Sequence, residues 1–357
     1  MNRIKAKSPR AESAYSLVCE LQQHFVSRLN LISNKFGKGN PFLPIDWLRD
    51  EGKHGGGMRY MATDATVFNR GSVNTSQVQY DDDDTKKLAS ATAISTIIHP
   101  ANPLAPSVHI HISWTEMKDG SGYWRVMADL NPSNEFDADK HQFAEKLRQV
   151  APEQYDEAAA QGDNYFYIPV LGRHRGVTHF YLENYFSGDF NIDLNLAKTV
   201  GETAIDTYCD ILCAALVTRS SPTDENRRRQ IEYHTLYFFQ VLTLDRGTTS
   251  GLLVHDQNDI GILASLPSHI NRTMLASWVE KMPSPQDQLL RYLLDCLPAT
   301  DICSVEDDTK QALANCLRRH YLTHPEAINM QAKGNTIPTT VDNHLEKQSS
   351  ETKGSQA

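Results

Sequence analysis

Residues 107–117 read Ser107-Val108-His109-Ile110-His111-Ile112-Ser113-Trp114-Thr115-Glu116-Met117. Val108, Ile110, Ile112 and Trp114 fall on one side of an extended chain; His109, His111, Ser113 and Thr115 fall on the other. Period-two alternation of this kind marks a strand with one face on a core and the other left to polar groups. The flanking runs Ala91–His99 and Tyr123–Leu130 have the same character. The loops between them are short and hold Asn102 and Pro103, then Gly120 and Gly122, so the three runs are predicted to pair as antiparallel neighbours.

Outward from this block, residues 12–36 predict an amphipathic helix with Leu17, Leu21, Phe25, Leu29 and Ile32 on one stripe. Helices are also expected over Asp137–Gln161 and Asp193–Arg219, and around 270–281, 285–297 and 307–321. Val177–Leu182 and His234–Leu244 read as further strands, the latter ended by Asp245-Arg246-Gly247. A block of strands followed by helices is an α+β pattern rather than alternating βαβ. The expected organisation is an N-terminal helical segment (1–37), a main domain (38–300), a C-terminal helical addition (301–328) and a disordered polar tail (329–357). Asp81–Asp84 reads as a solvated loop.

The chain has 357 residues, is 40% hydrophobic and carries a formal net charge of -9, which disfavours non-specific nucleic-acid binding. An anionic ligand therefore needs a local basic pocket. No membrane span and no secretory signal is read. The six cysteines form no CxxC pair, and Cys209 and Cys213 read as buried thiols, which suits a reducing cytoplasm. No nucleotide fingerprint, nucleophile elbow or HExxH motif is present.

Five segments, in order, resemble the oxygen-dependent coproporphyrinogen III oxidase family. Gly55-Gly56-Gly57-Met58-Arg59, with Val67-Phe68 and Ser72-Val73-Asn74-Thr75-Ser76, is similar to its Gly-rich entry and "VFEKAGVNxS" stretch. Residues 95–109 (STIIHPANPLAPSVH) are close to "SLVIHPxNPxxPTVH". Trp124 through Ala128-Asp129-Leu130-Asn131-Pro132 resembles "WWFGGGADLTP". Tyr165-Phe166-Tyr167 with Arg175-Gly176-Val177 resembles "YFYLxHRxExRGxGGxFFDD". Leu242 to Asp245-Arg246-Gly247-Thr248, Gly251-Leu252 and 263–267 resemble "NLVYDRGTxFGL" and "ILMSLPP".

The resemblance implies a large, rather flat antiparallel sheet covered by helices on both faces, assembled as a homodimer. It implies oxidative decarboxylation of two propionates of a tetrapyrrole substrate, coproporphyrinogen III, to vinyl groups in haem synthesis. O2 is then co-substrate and no organic cofactor is used. His109, Asp129 and Arg175 are implied as catalytic residues, and Ser95, His111, Ser113, Arg59 and Arg246 as substrate-binding residues. Guanidinium groups suit carboxylates because paired N–H donors match two oxygens, although arginines also serve in structural ion pairs. Some members carry a divalent metal at four histidines. His99 and His109 match two of these, His141 is offset by about one place, and the fourth position is Val170.

The sequence also departs from the family pattern. The Asn-x-Arg after the active-site histidine is His111-Ile112-Ser113, and the triple glycine before Asp129 is Arg125-Val126-Met127. The Gly-Gly after Arg-Gly-Val is Thr178-His179, which places bulk where a planar ligand would approach. Arg125, His111 and His179 are candidate replacements for the lost contacts. Two alternatives stay open: a tetrapyrrole-binding paralogue without catalysis, and a metal-dependent oxidoreductase using His99, His109 and His111.

Overall fold

The computed structural model describes residues 3–254 and 256–333. Helix α1 (Pro9–Phe36) leads into six strands: β1 (Leu43–Leu48), β2 (Gly55–Met61), β3 (Phe68–Gln79), β4 (Leu88–Pro100), β5 (Ser107–Met117) and β6 (Gly122–Asn131). Helices α2 (Asp137–Val150) and α3 (Tyr155–Phe166) follow, then a two-residue ladder of β7 (Tyr167–Ile168) with β8 (Arg173–His174), and β9 (Thr178–Tyr185). The remainder is α4 (Phe190–Thr218), α5 (Asp224–Thr243), α6 (Arg246–Val254), α7 (Asp259–Ile262), β10 (His269–Asn271), α8 (Arg272–Ala276), α9 (Gln286–Asp295), β11 (Ile302–Ser304) and α10 (Asp307–Thr323).

The main sheet runs β1-β2-β3-β4-β5-β6-β9, with every neighbouring pair antiparallel. Its apolar face presents Val108, Ile110, Ile112, Ala128 and Phe180 to α1 and α4, which contribute Leu21, Phe25, Val200 and Tyr208. The five stripe residues expected in α1 are all buried there. Ser8 starts that helix by accepting from the Ala11 N–H, with Pro9 in the first turn, where a missing N–H costs nothing. A second apolar core lies on the other face. It joins Leu236, Phe239 and Leu242 of α5 to Leu289 of α9 and Leu313 and Leu317 of α10, and reaches the sheet at Ile97. The chain is thus α+β, an antiparallel sheet with helices on both faces.

Three elements differ from expectation. The stretch around 270–281 is not one helix: it opens in β10, which pairs with β11, and continues as the five-residue α8. His234–Leu244 is not a strand; it is the C-terminal part of α5 and the residue that caps it. Thr223 and Asn226 form a reciprocal capping box, and Asp224 and Glu225 occupy the first turn, so the helix is nucleated ten residues upstream of the aromatic run. Asp137–Gln161 is two helices, not one. Pro152 lies in the break, and a proline there removes an N–H and clashes with the preceding turn.

No described helix is long and apolar enough to cross a membrane. Asp81–Asp84 forms a surface loop in which Asp82 pairs with Lys53. Of the expected polar tail, residues 334–357 lie outside the described residues. Gln331 is buried and its amide donates to Tyr321 Oη at 3.0 Å; Ala332 N–H donates to the Leu244 carbonyl at 2.9 Å.

Candidate active site

The strand registers order the polar face of the sheet into rows. Arg59, Asn74, Ser95, His111, Met127 and Tyr181 are successive cross-strand partners from β2 to β9. The row two residues along holds Met61, Ser72, Ile97, His109, Asp129 and His179. On the opposite side of the first row lie Gly57, Ser76, Ala93, Ser113 and Arg125. Side chains of one parity share a face, so these rows form one continuous floor. Above it opens a cleft of about 230 Å³, walled by Tyr165 of α3, Tyr237 of α5, Asp245 and the start of α6, and α7.

Asp129 organises the deepest part. His109 donates through Nδ1 to its Oδ1 at 2.7 Å, and Arg175 Nη2 and Asn131 Nδ2 donate to its Oδ2 at 2.9 and 2.6 Å. The carboxylate has no exposed surface and does not line the cleft; His109 and Arg175 do. Burial pushes the Asp129 carboxyl up, but Arg175, His109 and Asn131 outweigh it and hold the group below its ordinary value. It is therefore an ionised anchor. The Arg175 guanidinium lies over the rings of Phe166 at 4.4 Å and Tyr237 at 5.1 Å. Gly176 makes this placement accessible: its φ is +84°, and a Cβ there would sit 2.6 Å from Asn131 Oδ1.

A second network lies beside α6. Arg246 pairs with Glu183, which also accepts from Tyr181 Oη at 3.1 Å, while Tyr165 Oη donates to Asp245 Oδ2 at 2.9 Å. Nε of Arg175, and Nε and Nη1 of Arg246, are buried and find no hydrogen-bond partner among the described residues. Burial, then the nearby His109 and Arg125, push His111 down to about 3, so its ring is neutral at neutral pH.

Of the expected site residues, Ser95, His109, His111, Arg175 and Arg246 converge on the cleft. Ser113 shares the floor but pairs its hydroxyl with His111 Nε2 at 3.1 Å. Arg59 extends the His111 row outward and donates to Asn258 Oδ1 at 3.0 Å. The bulk expected from Thr178 and His179 does not fill the space. Thr178 is the partner of core-facing Leu130, and His179 bridges the Arg175 carbonyl and the Asp163 carboxylate, both at 2.7 Å. Sequence reading did not single out Asp245, Glu183, Tyr165, Tyr181 or Tyr237 as site residues. The adjacency of Asp245 to Arg246 was the available signal; Tyr237 was hidden by the strand reading of α5.

The histidines do not fit a shared metal ion. His99 Nε2–H donates to the Ser265 carbonyl at 3.1 Å, and its Nδ1 accepts from Ser107 Oγ at 2.9 Å, so its lone pair is already used. Among the described residues no three His, Cys, Asp or Glu side chains gather as a metal site.

Residues 13–296, which hold every residue of both networks, match the profile of the family described as coproporphyrinogen III oxidase. The mouse mitochondrial oxygen-dependent coproporphyrinogen-III oxidase is 27% identical over 271 residues, covering 68% of this chain and 58% of the mouse protein. The human mitochondrial protein of the same name is 26% identical over 271 residues, covering 68% and 56%. The oxygen-dependent coproporphyrinogen-III oxidase of Synechococcus sp. (strain CC9605) is 31% identical over 186 residues, covering 48% and 49%. The chain thus spans about half to three fifths of the length of these relatives. A match over most of the chain, carrying both networks of the cleft within it, places the chain in the coproporphyrinogen III oxidase family.

Proposed function

We propose that the protein is an oxygen-dependent oxidoreductase that converts two propionate arms of coproporphyrinogen III to vinyl groups in haem synthesis. The supporting observation is the His109–Asp129–Arg175 cluster at the floor of a cleft. For each arm, RCH₂CH₂COO⁻ gives RCH=CH₂, CO₂, one proton and two electrons. Dioxygen takes up the two electrons with two protons and leaves as hydrogen peroxide, so the reaction balances without an organic cofactor.

Asp129 holds the Nδ1–H of His109, which leaves Nε2 as the acceptor for a pyrrole N–H or the departing proton. The buried carboxylate then stabilises the imidazolium that forms. Asp129 is in this reading a positioning residue, because both its oxygens are already bonded. The buried donors of Arg175 and Arg246 suit a carboxylate arm, which would satisfy them with charge-assisted bonds. Ser95 and His111 present a hydroxyl and a neutral imidazole to the ring on the floor of the cleft. The imidazole of His109, held by Asp129 beside Arg175, favours catalysis over binding alone. The six free cysteines suit a cytoplasmic setting, and the edge strand β1, with Leu43 and Ile45 exposed, offers a surface for a homodimer.

Reduced coproporphyrinogen III, prepared without oxygen and then exposed to air with the protein, tests the reading by chromatography of the porphyrins formed. Vinyl product is expected only in air, with turnover at least about 100-fold lower for His109→Ala. Folded protein that binds the ring and yields no vinyl product would leave the binding paralogue as the correct reading.

A further inference from the structure

Arg125 lies outside the cluster to which the chemistry was assigned. It occupies β6 directly opposite Ser113 on β5, one row beyond His111, and it lines the cleft. Of the three candidate replacement contacts, His179 is committed to Arg175 and Asp163, and His111 is a neutral ring bonded to Ser113. Arg125 is a permanent cation. Burial pulls its pKa down, but Tyr181, Tyr123, Tyr165 and Asp245 more than offset this, so the site keeps it charged. Its guanidinium carbon stands 5.9 Å from the centre of the Tyr123 ring. Five N–H donors leave a guanidinium able to hold a carboxylate in addition to contacts with its own chain.

Position gives Arg125 a distinct task. Along β6 it is four residues from Asp129, roughly 13 Å at about 3.3 Å per residue. Arg175 is bound at the Asp129 end. The two guanidinium groups therefore mark opposite ends of the floor, with the small or neutral side chains of Ser95, His111 and Met127 between them. A flat ligand with acid arms on opposite edges meets a guanidinium at each end of such a floor.

We propose that Arg125 is a specificity-determining residue that binds a second carboxylate arm of the ligand, across the floor from Arg175. The inference rests on the tetrapyrrole reading of the cleft. Because Ser113 and Arg125 are directly paired, a guanidinium at either position projects from the same part of the floor.

The test is binding, without turnover, of oxidised coproporphyrin III and of its tetramethyl ester, followed by the change in the porphyrin absorption band. Arg125→Ser is expected to weaken binding of the tetra-acid about 10- to 100-fold while leaving the ester within about twofold. Arg125→Lys should lose less, and the double variant Ser113→Arg, Arg125→Ser should recover most of the affinity. Thermal melting establishes that each variant is folded. Unchanged affinity in Arg125→Ser, or equal losses for acid and ester, would overturn the proposal. If the unaltered protein binds neither probe, the proposal falls with the tetrapyrrole reading. Binding with the expected Arg125 dependence but no vinyl product removes only the oxidase.

Discussion

With the oxygens of Asp129 taken by His109, Arg175 and Asn131, removing its charge leaves a guanidinium in the interior without its counter-ion. Breaking a buried pair from one side costs about 3–5 kcal/mol. Asp129→Asn is therefore expected to lower the unfolding free energy by that order in urea titration. The folded pKa of Asp129 is depressed, so the stabilisation is present above the ordinary Asp value near 3.9 and fades as pH falls through the lower folded value. Titrations of the two proteins should converge in strong acid; a difference that persists there would reject the ionised anchor. At this scale the strand period made the shared face of His109 and His111 readable, because successive side chains alternate. The withdrawal of Asp129 behind them was not readable. It depends on Arg175, 46 residues away, being turned inward at Gly176.

Among the elements, α5 shows where pattern fails and why. Every residue from Tyr233 to Thr243 is buried, so no polar stripe reports the helical period, and a short apolar run with β-branched and aromatic residues looks like a strand. The deciding information lies upstream, in the capping box and in the Arg228 pairs with Glu225 and Glu232. Thr223→Ala should therefore destabilise the protein by about 1 kcal/mol, read as a lower urea midpoint at unchanged slope. No effect would mean that tertiary burial alone holds the helix. Strands β4 and β5 were more legible than α5 because their buried and less buried residues alternate along the chain. The break at Pro152 is legible in kind, because proline disfavours continuation of a helix through its own position.

Across the whole molecule, neutral histidines add to the response to acid. His111 and His234 are pushed down to about 3, mainly by burial, and His99 is pushed well below its ordinary value for the same first reason. Between pH 6.5 and about 3 the unfolded chain binds protons that the folded chain refuses, so stability falls as pH falls. His111 and His234 each contribute about 1.4 kcal/mol per pH unit in that window. His234→Gln is expected to flatten the dependence of unfolding free energy on pH by about that amount; an unchanged slope would exclude His234 as a contributor.

The family match ends at residue 296, but the physical unit does not. Arg318 of α10 donates to the Leu252 carbonyl and pairs with Asp259, and Gln311 donates to the same carboxylate at 2.6 Å. These contacts brace α6 and α7, the outer wall of the cleft, from outside. A protein shortened to the matched region would keep every residue with an assigned chemical task and lose the buttress behind the helix that carries Arg246. Leu313 and Leu317 would also leave their apolar partners bare to water. Inactivity of such a fragment would report a collapsed wall rather than missing chemistry.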